Sequence, residues 1–131
     1  VISIEPPVVK RTLPSLVPKV DDDGNEIGGV PSVLHLAPLG TYLGWNVTAG
    51  GFYKNQGCGF SGGFIPFAKT KAERMASGDP RLSIEERYGT HAAYVARVRA
   101  AADLSVSERF LLPDDRDRIV KQAEDSEILK P

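Results

Sequence analysis

A chain of 131 residues with 41% hydrophobic and 25% charged side chains is long enough for one buried core and too apolar for a disordered segment. A formal net charge of -1, with no basic cluster longer than Lys10-Arg11, excludes a nucleic-acid surface built on a charged stripe. The single cysteine, Cys58, excludes an internal disulfide, and the longest uncharged stretch, residues 27–53, is too broken by prolines, glycines, His35 and Asn46 to span a membrane.

Charge divides the chain. Nine charged side chains fall in residues 1–68 and twenty-four in residues 69–131. Mixed α and β structure is predicted: an extended segment with a hairpin and a long aromatic, glycine-rich loop over 1–68, then a helical tail over 69–131. The two form one structural unit, not expected to be an independent domain. The chain opens on Val1 without a methionine or a secretory leader, and so reads as a mature product or an excerpt of a longer protein.

Prolines at 6, 7, 14, 18, 31 and 38 rule out a long helix in the first segment, because each lacks an N–H and biases its predecessor to extended conformations. Residues 16–20 and 30–36 are rich in Val and Leu and flank Asp21-Asp22-Asp23-Gly24-Asn25-Glu26, whose Asp-Gly-Asn centre is turn chemistry, so a hairpin is predicted there. The same acids invite a calcium loop. With Asp21, Asp23 and Asn25 at its first, third and fifth positions, Glu26 stands where glycine must turn the loop, and Ser32 where a bidentate glutamate is needed. A solvated turn is the better reading. His35, in an apolar stretch without a second ligand at suitable spacing, reads as a satisfied, partly buried histidine.

Residues 37–68 hold the only tryptophan, Trp45, together with Tyr42, Tyr53, Phe52, Phe60, Phe64 and Phe67. That mixture predicts an irregular loop whose aromatic anchors seal a core or rim a pocket. Asn46-Val47-Thr48 has the form of a glycosylation sequon, a string that chance produces often. Gly59-Phe60-Ser61-Gly62-Gly63 spells the G-x-S-x-G of a hydrolase nucleophile elbow, which requires a buried strand before the serine and a helix after it. Neither flank fits. Residues 53–58 are polar and glycine-broken, and Gly62, Gly63 and Pro66 delay any helix to Thr70. The order Ser61, Asp79, His91 then matches a triad only by coincidence of spacing.

The second half announces its helices. Thr70-Lys71-Ala72-Glu73 fits a capping box, and Ser77-Gly78-Asp79-Pro80 stops the helix it opens. Ser83-Ile84-Glu85-Glu86 repeats the device, with Gly89 as the stop. A longer helix is predicted from Thr90, with Tyr94, Val98 and Ala101 or Ala102 on one face, ending near Leu104-Ser105. Pro113, followed by Asp114 and Asp115, opens the last helix, which carries Ile119, Val120 and Ala123.

Five spaced segments carry a resemblance. Val17 to Gly29, Pro38 to Asn46, Gly63 to Arg74, Gly78 to Arg81 and Glu86 to Tyr88 resemble, in order, the C-terminal region of a family of large α/β-hydrolase-domain proteins. The likeness runs from about Leu16 to Ala123. Members are regarded as ester hydrolases whose nucleophile, in a G-x-S-x-S-G-like elbow, and general-base histidine lie upstream of the matched region, and no segment here is similar to either. The resemblance therefore implies a C-terminal portion of such a protein, partnered by an upstream hydrolase domain of the same chain and by a small ester substrate. It also makes an exported or periplasmic location compatible with the sequence, which by itself leaves the compartment open. His35 and Leu104-Ser105-Val106-Ser107 depart from the family pattern.

Together these features point to a C-terminal portion of an α/β hydrolase, non-catalytic by itself, that contributes packing and a pocket rim formed by Thr41, Tyr42, Trp45 and Asn46. A non-catalytic interaction module presenting its aromatic loop is the alternative, and a small serine hydrolase using Ser61 is the third reading. No catalytic residue, metal or cofactor is assigned, and neither nucleic acid nor membrane is expected as a partner.

Overall fold

The computed structural model describes residues 8–14, 16–57 and 61–130. Cys58 and the Gly59-Phe60 start of the elbow-like string lie outside the described residues. The elements run α1 (Val33–Leu36), β1 (Gly40–Leu43), β2 (Gly63–Pro66), α2 (Lys71–Ser77), α3 (Ile84–Tyr88), α4 (His91–Ser107) and α5 (Pro113–Asp125). The mixed α and β class holds, with an antiparallel strand pair ahead of a helical tail.

The strand pair is not the one expected around the acidic turn. Val20 meets Glu26 in a single antiparallel bridge, and residues 33–36 form a turn of helix instead of a second arm. Pro31 followed by extended Ser32 sets a helix start, and one helical turn brings Val33 and Ala37 to the same face, where both are buried. A strand there would have pointed alternate apolar side chains to opposite sides.

Pairing occurs instead inside the segment expected to be irregular. Gly40 faces Pro66, Thr41 faces Ile65, Tyr42 faces Phe64 and Leu43 faces Gly63, and the Phe67 N–H donates to the Leu39 carbonyl at 2.9 Å to extend the ladder. The connection is itself folded back. Val47 bridges Gly57, and the Thr48 and Asn55 amides donate to the Gln56 and Thr48 carbonyls.

Local capping sets the helix ends. The Thr70 hydroxyl accepts the Glu73 amide at 3.2 Å, while the Glu73 carboxylate reaches one residue further back than expected, to the Lys69 amide at 2.9 Å. Ser83 and Glu86 form the complete reciprocal box. Gly78 and Gly89 end their helices at φ near +69°, a conformation that favours glycine. Helix α4 runs through Leu104 and Ser105 to Ser107, longer than predicted, because the Ser105 hydroxyl donates to the Ala101 carbonyl at 3.0 Å and stays inside the helix. Pro113 and the two aspartates after it open α5 as expected.

The core lies where α1 and α5 pack on α4. Val33 and Ala37, Tyr94, Val95, Val98, Ala101 and Ala102, and Val120 and Ala123 form it, and the alanines allow the close approach of α5 to α4. At the start of α4 the His91 ring nitrogens lie 2.7 Å from the Ile128 carbonyl and 3.2 Å from the Glu124 carbonyl, so α4 is tied to the end of α5 by side chain as well as by packing.

Candidate functional site

The acidic turn is a junction, not a solvated loop. The Asp21 carboxylate accepts the Asp23 and Asn25 amides, both at 2.9 Å. Asn25 is 1% exposed; its side-chain amide donates to the Gly40 carbonyl at 3.2 Å and its oxygen accepts the Tyr42 amide at 2.7 Å. One asparagine thus satisfies two backbone groups of β1 that the strand pair leaves open. Asp23 binds in both directions, its carbonyl accepting the Thr41 hydroxyl and its carboxylate pairing with Arg87. The side chains that a calcium ion would need therefore already have protein partners. Among the described residues, no group of three His, Cys, Asp or Glu side chains is arranged to hold a metal ion.

Arg81 is the hub. Its guanidinium donates to the Thr41 hydroxyl at 2.8 Å, to the Ile65 and Pro66 carbonyls at 3.1 and 3.3 Å, and to both oxygens of Asp79. The Arg81 and Arg87 guanidinium carbons lie 5.1 and 4.1 Å from the centre of the buried Phe67 ring, within cation–π range. Arg74 completes the cluster by gripping both oxygens of Glu86 at 2.7 and 3.0 Å, and the Ser83 hydroxyl and amide bind the same carboxylate.

These contacts hold two carboxyls unusually acidic. Hydrogen bonds from the Arg81 guanidinium, and then from the Arg81 amide, lower Asp79 to about 2. Arg74 and then Ser83 lower Glu86 to about 2. Each folded value lies below its unfolded value, so the stability these groups contribute is full above the ordinary carboxyl range and is lost as pH falls through it toward the folded value. Urea midpoints should be flat from neutral pH to about pH 5 and fall steadily from there to about pH 2. A Glu86→Gln, Asp79→Asn double variant should show a shallower fall, and an unchanged slope would overturn the assignment.

The three members of the triad-like order are not joined by hydrogen bonds. Ser61 is exposed and precedes β2 without a helix after it. The Asp79 carboxylate is occupied by Arg81, and both His91 ring nitrogens face main-chain carbonyls.

The candidate rim divides. Thr41 is buried and belongs to the junction, and Asn46 steadies the base of the loop by donating to the Gly62 carbonyl at 3.3 Å and accepting the Val47 amide at 2.8 Å. Tyr42 and Trp45 share a groove of about 390 Å³ with Pro18, Val20, Leu43 and Glu26. Tyr42 is held in place by Phe64, 5.0 Å away between ring centres, and by His35 at 5.7 Å. His35 is half-buried, with its Nδ1 2.8 Å from the Ser32 hydroxyl. Partial burial raises the Tyr42 hydroxyl above its ordinary value, which keeps the phenol neutral.

A fold with its polar cluster committed to joining strands and helices, and with an aromatic groove beside the strand pair, is a braced α/β unit. The alpha/beta hydrolase domain family model matches residues 4–121, and the chain belongs to that family. No curated protein and no solved structure matches it. Among the described residues, no helix is long and apolar enough to cross a membrane.

Sequence reasoning singled out the groove aromatics but missed Arg81 and Arg87. Gly78-Asp79-Pro80-Arg81 reads locally as a helix stop, and nothing in its spacing indicates partners 40 residues away.

Proposed function

We propose that this chain is the C-terminal portion of a longer α/β hydrolase, that it supplies neither nucleophile nor general base, and that its Tyr42–Trp45 edge forms part of the rim of a pocket for a small ester. One observation carries the reading: Asp79 and His91, the groups that would have to serve Ser61, are bound to Arg81 and to main-chain carbonyls. An upstream hydrolase domain of the same protein is the proposed packing partner, and Leu16, 93% exposed, is a side chain it would cover.

The isolated chain is expected to hydrolyse p-nitrophenyl acetate no faster than buffer. In the longer protein, Ser61→Ala should leave kcat/KM unchanged, whereas loss of a serine nucleophile costs about a million-fold in turnover. Collapse of activity in a folded Ser61→Ala protein would restore the serine-hydrolase reading.

The interaction-module reading is favoured by the loop tip, where Phe52 is 94% exposed and stands edge-on to Tyr53 at 5.1 Å. Amide hydrogen exchange on the isolated chain separates the two. Weak protection over 37–57 and 61–68 is expected if an upstream domain must cover this face; strong protection with a cooperative melt would favour the autonomous module.

A further inference from the structure

We infer that the groove between the acidic turn and β1 binds organic cations, so that the ester it helps select carries a substituted ammonium group. The inference rests on reading Tyr42 and Trp45 as a pocket rim, and adds the charge of what the rim receives. Two aromatic side chains and the apolar Pro18, Val20 and Leu43 line the groove, and Glu26 is its only charged residue. The carboxylate is exposed at the groove edge, where a Cβ added at Gly44 would sit 3.7 Å from Glu26 Oε1. Glu26 takes part in none of the ion pairs among the described residues, so its charge is available to a ligand. Asp23, its neighbour in the same turn, is by contrast matched by Arg87.

Each part of this lining answers one property of an alkylated ammonium ion. Electron-rich ring faces attract the diffuse positive charge, the apolar side chains accept its methyl groups, and the carboxylate supplies a counter-charge without requiring an N–H donor. An anionic acyl or phosphate group would meet Glu26 with no basic side chain in the lining to offset it.

Trp45 sits in the groove, so Trp45→Ala removes its larger ring face and should weaken binding of a cationic probe. Choline and its uncharged tert-butyl isostere are titrated calorimetrically against the longer protein, in which the upstream domain covers this face. Choline should give a saturable change with about fivefold tighter binding than the isostere, and Glu26→Gln should remove most of that ratio. Equal binding of the two probes to the unaltered chain would overturn the charge preference while leaving the rim in place. Absence of a saturable response to either would overturn both.

Discussion

Arg81→Met is expected to lower stability by about 3 kcal/mol. Methionine matches the length of the side chain and removes every donor. The Asp79 carboxylate, the Thr41 hydroxyl and the Ile65 and Pro66 carbonyls would each lose a partner at once. A hydrogen bond to a charged group contributes roughly 1.5–3 kcal/mol, and stranding one member of a fully buried ion pair costs about 3–5 kcal/mol. Arg81 and Asp79 side chains are 15% and 17% exposed, so water recovers part of that loss and the lower figure applies. Arg81→Lys should recover less than half, because a point charge cannot serve Asp79 and two carbonyls in one plane. Urea unfolding with an unchanged slope is the measurement; an Arg81→Met midpoint equal to the parent's would remove the hub from the account.

Gly40→Ala is expected to cost a similar amount, about 2–4 kcal/mol, through crowding instead of lost bonds. A Cβ at position 40 would run into the Ile65 carbonyl oxygen and come within 2.6 Å of the Phe64 ring. The oxygen belongs to the backbone of the paired strand and cannot rotate away, so the strands must part. Gly28 provides the contrast: it has no positive φ and nothing within 4 Å of an added Cβ, so Gly28→Ala should leave the melting temperature within about a degree of the parent. Equal losses at both positions would mean that general backbone stiffening, not the close strand approach, governs the response.

Much of the helical half was legible because its signals are local. Thr70 and Ser83 each mark a start three residues before the amide they satisfy, Pro113 marks one by its fixed φ at the first helical position, and Gly78 and Gly89 mark stops by conformation alone. Two details differ: α4 runs past Leu104-Ser105 because the Ser105 hydroxyl bonds to the preceding turn, and the Glu73 carboxylate serves the Lys69 amide in place of that of Thr70. The first half was harder to read. Strands β1 and β2 are four residues long, contain Gly40, Gly63 and Pro66, and are joined through a further bridge, so their alternation is too short to outweigh the apolar runs at 16–20 and 30–36. The aromatic content of 37–68 was visible as composition; Tyr42 and Trp45 line a groove beside the acidic turn. Which residue types would turn inward was not visible. Thr41 and Asn25 look like loop residues until the backbone groups they serve are in place.

The Asp23–Arg87 contact closes across 64 residues, whereas Asp103 meets Arg116 across 13. Closing the longer loop has the larger entropic cost, and it is recovered only after strands and helices have formed the surfaces that receive the turn. Helices α4 and α5 should therefore meet early on the way to the native state, and the acidic turn should dock last, after the rate-limiting barrier. Weakening the dock would then hasten unfolding while leaving refolding nearly unchanged. On that ordering, the front of the chain governs how long the fold persists, and the back governs how fast it is reached.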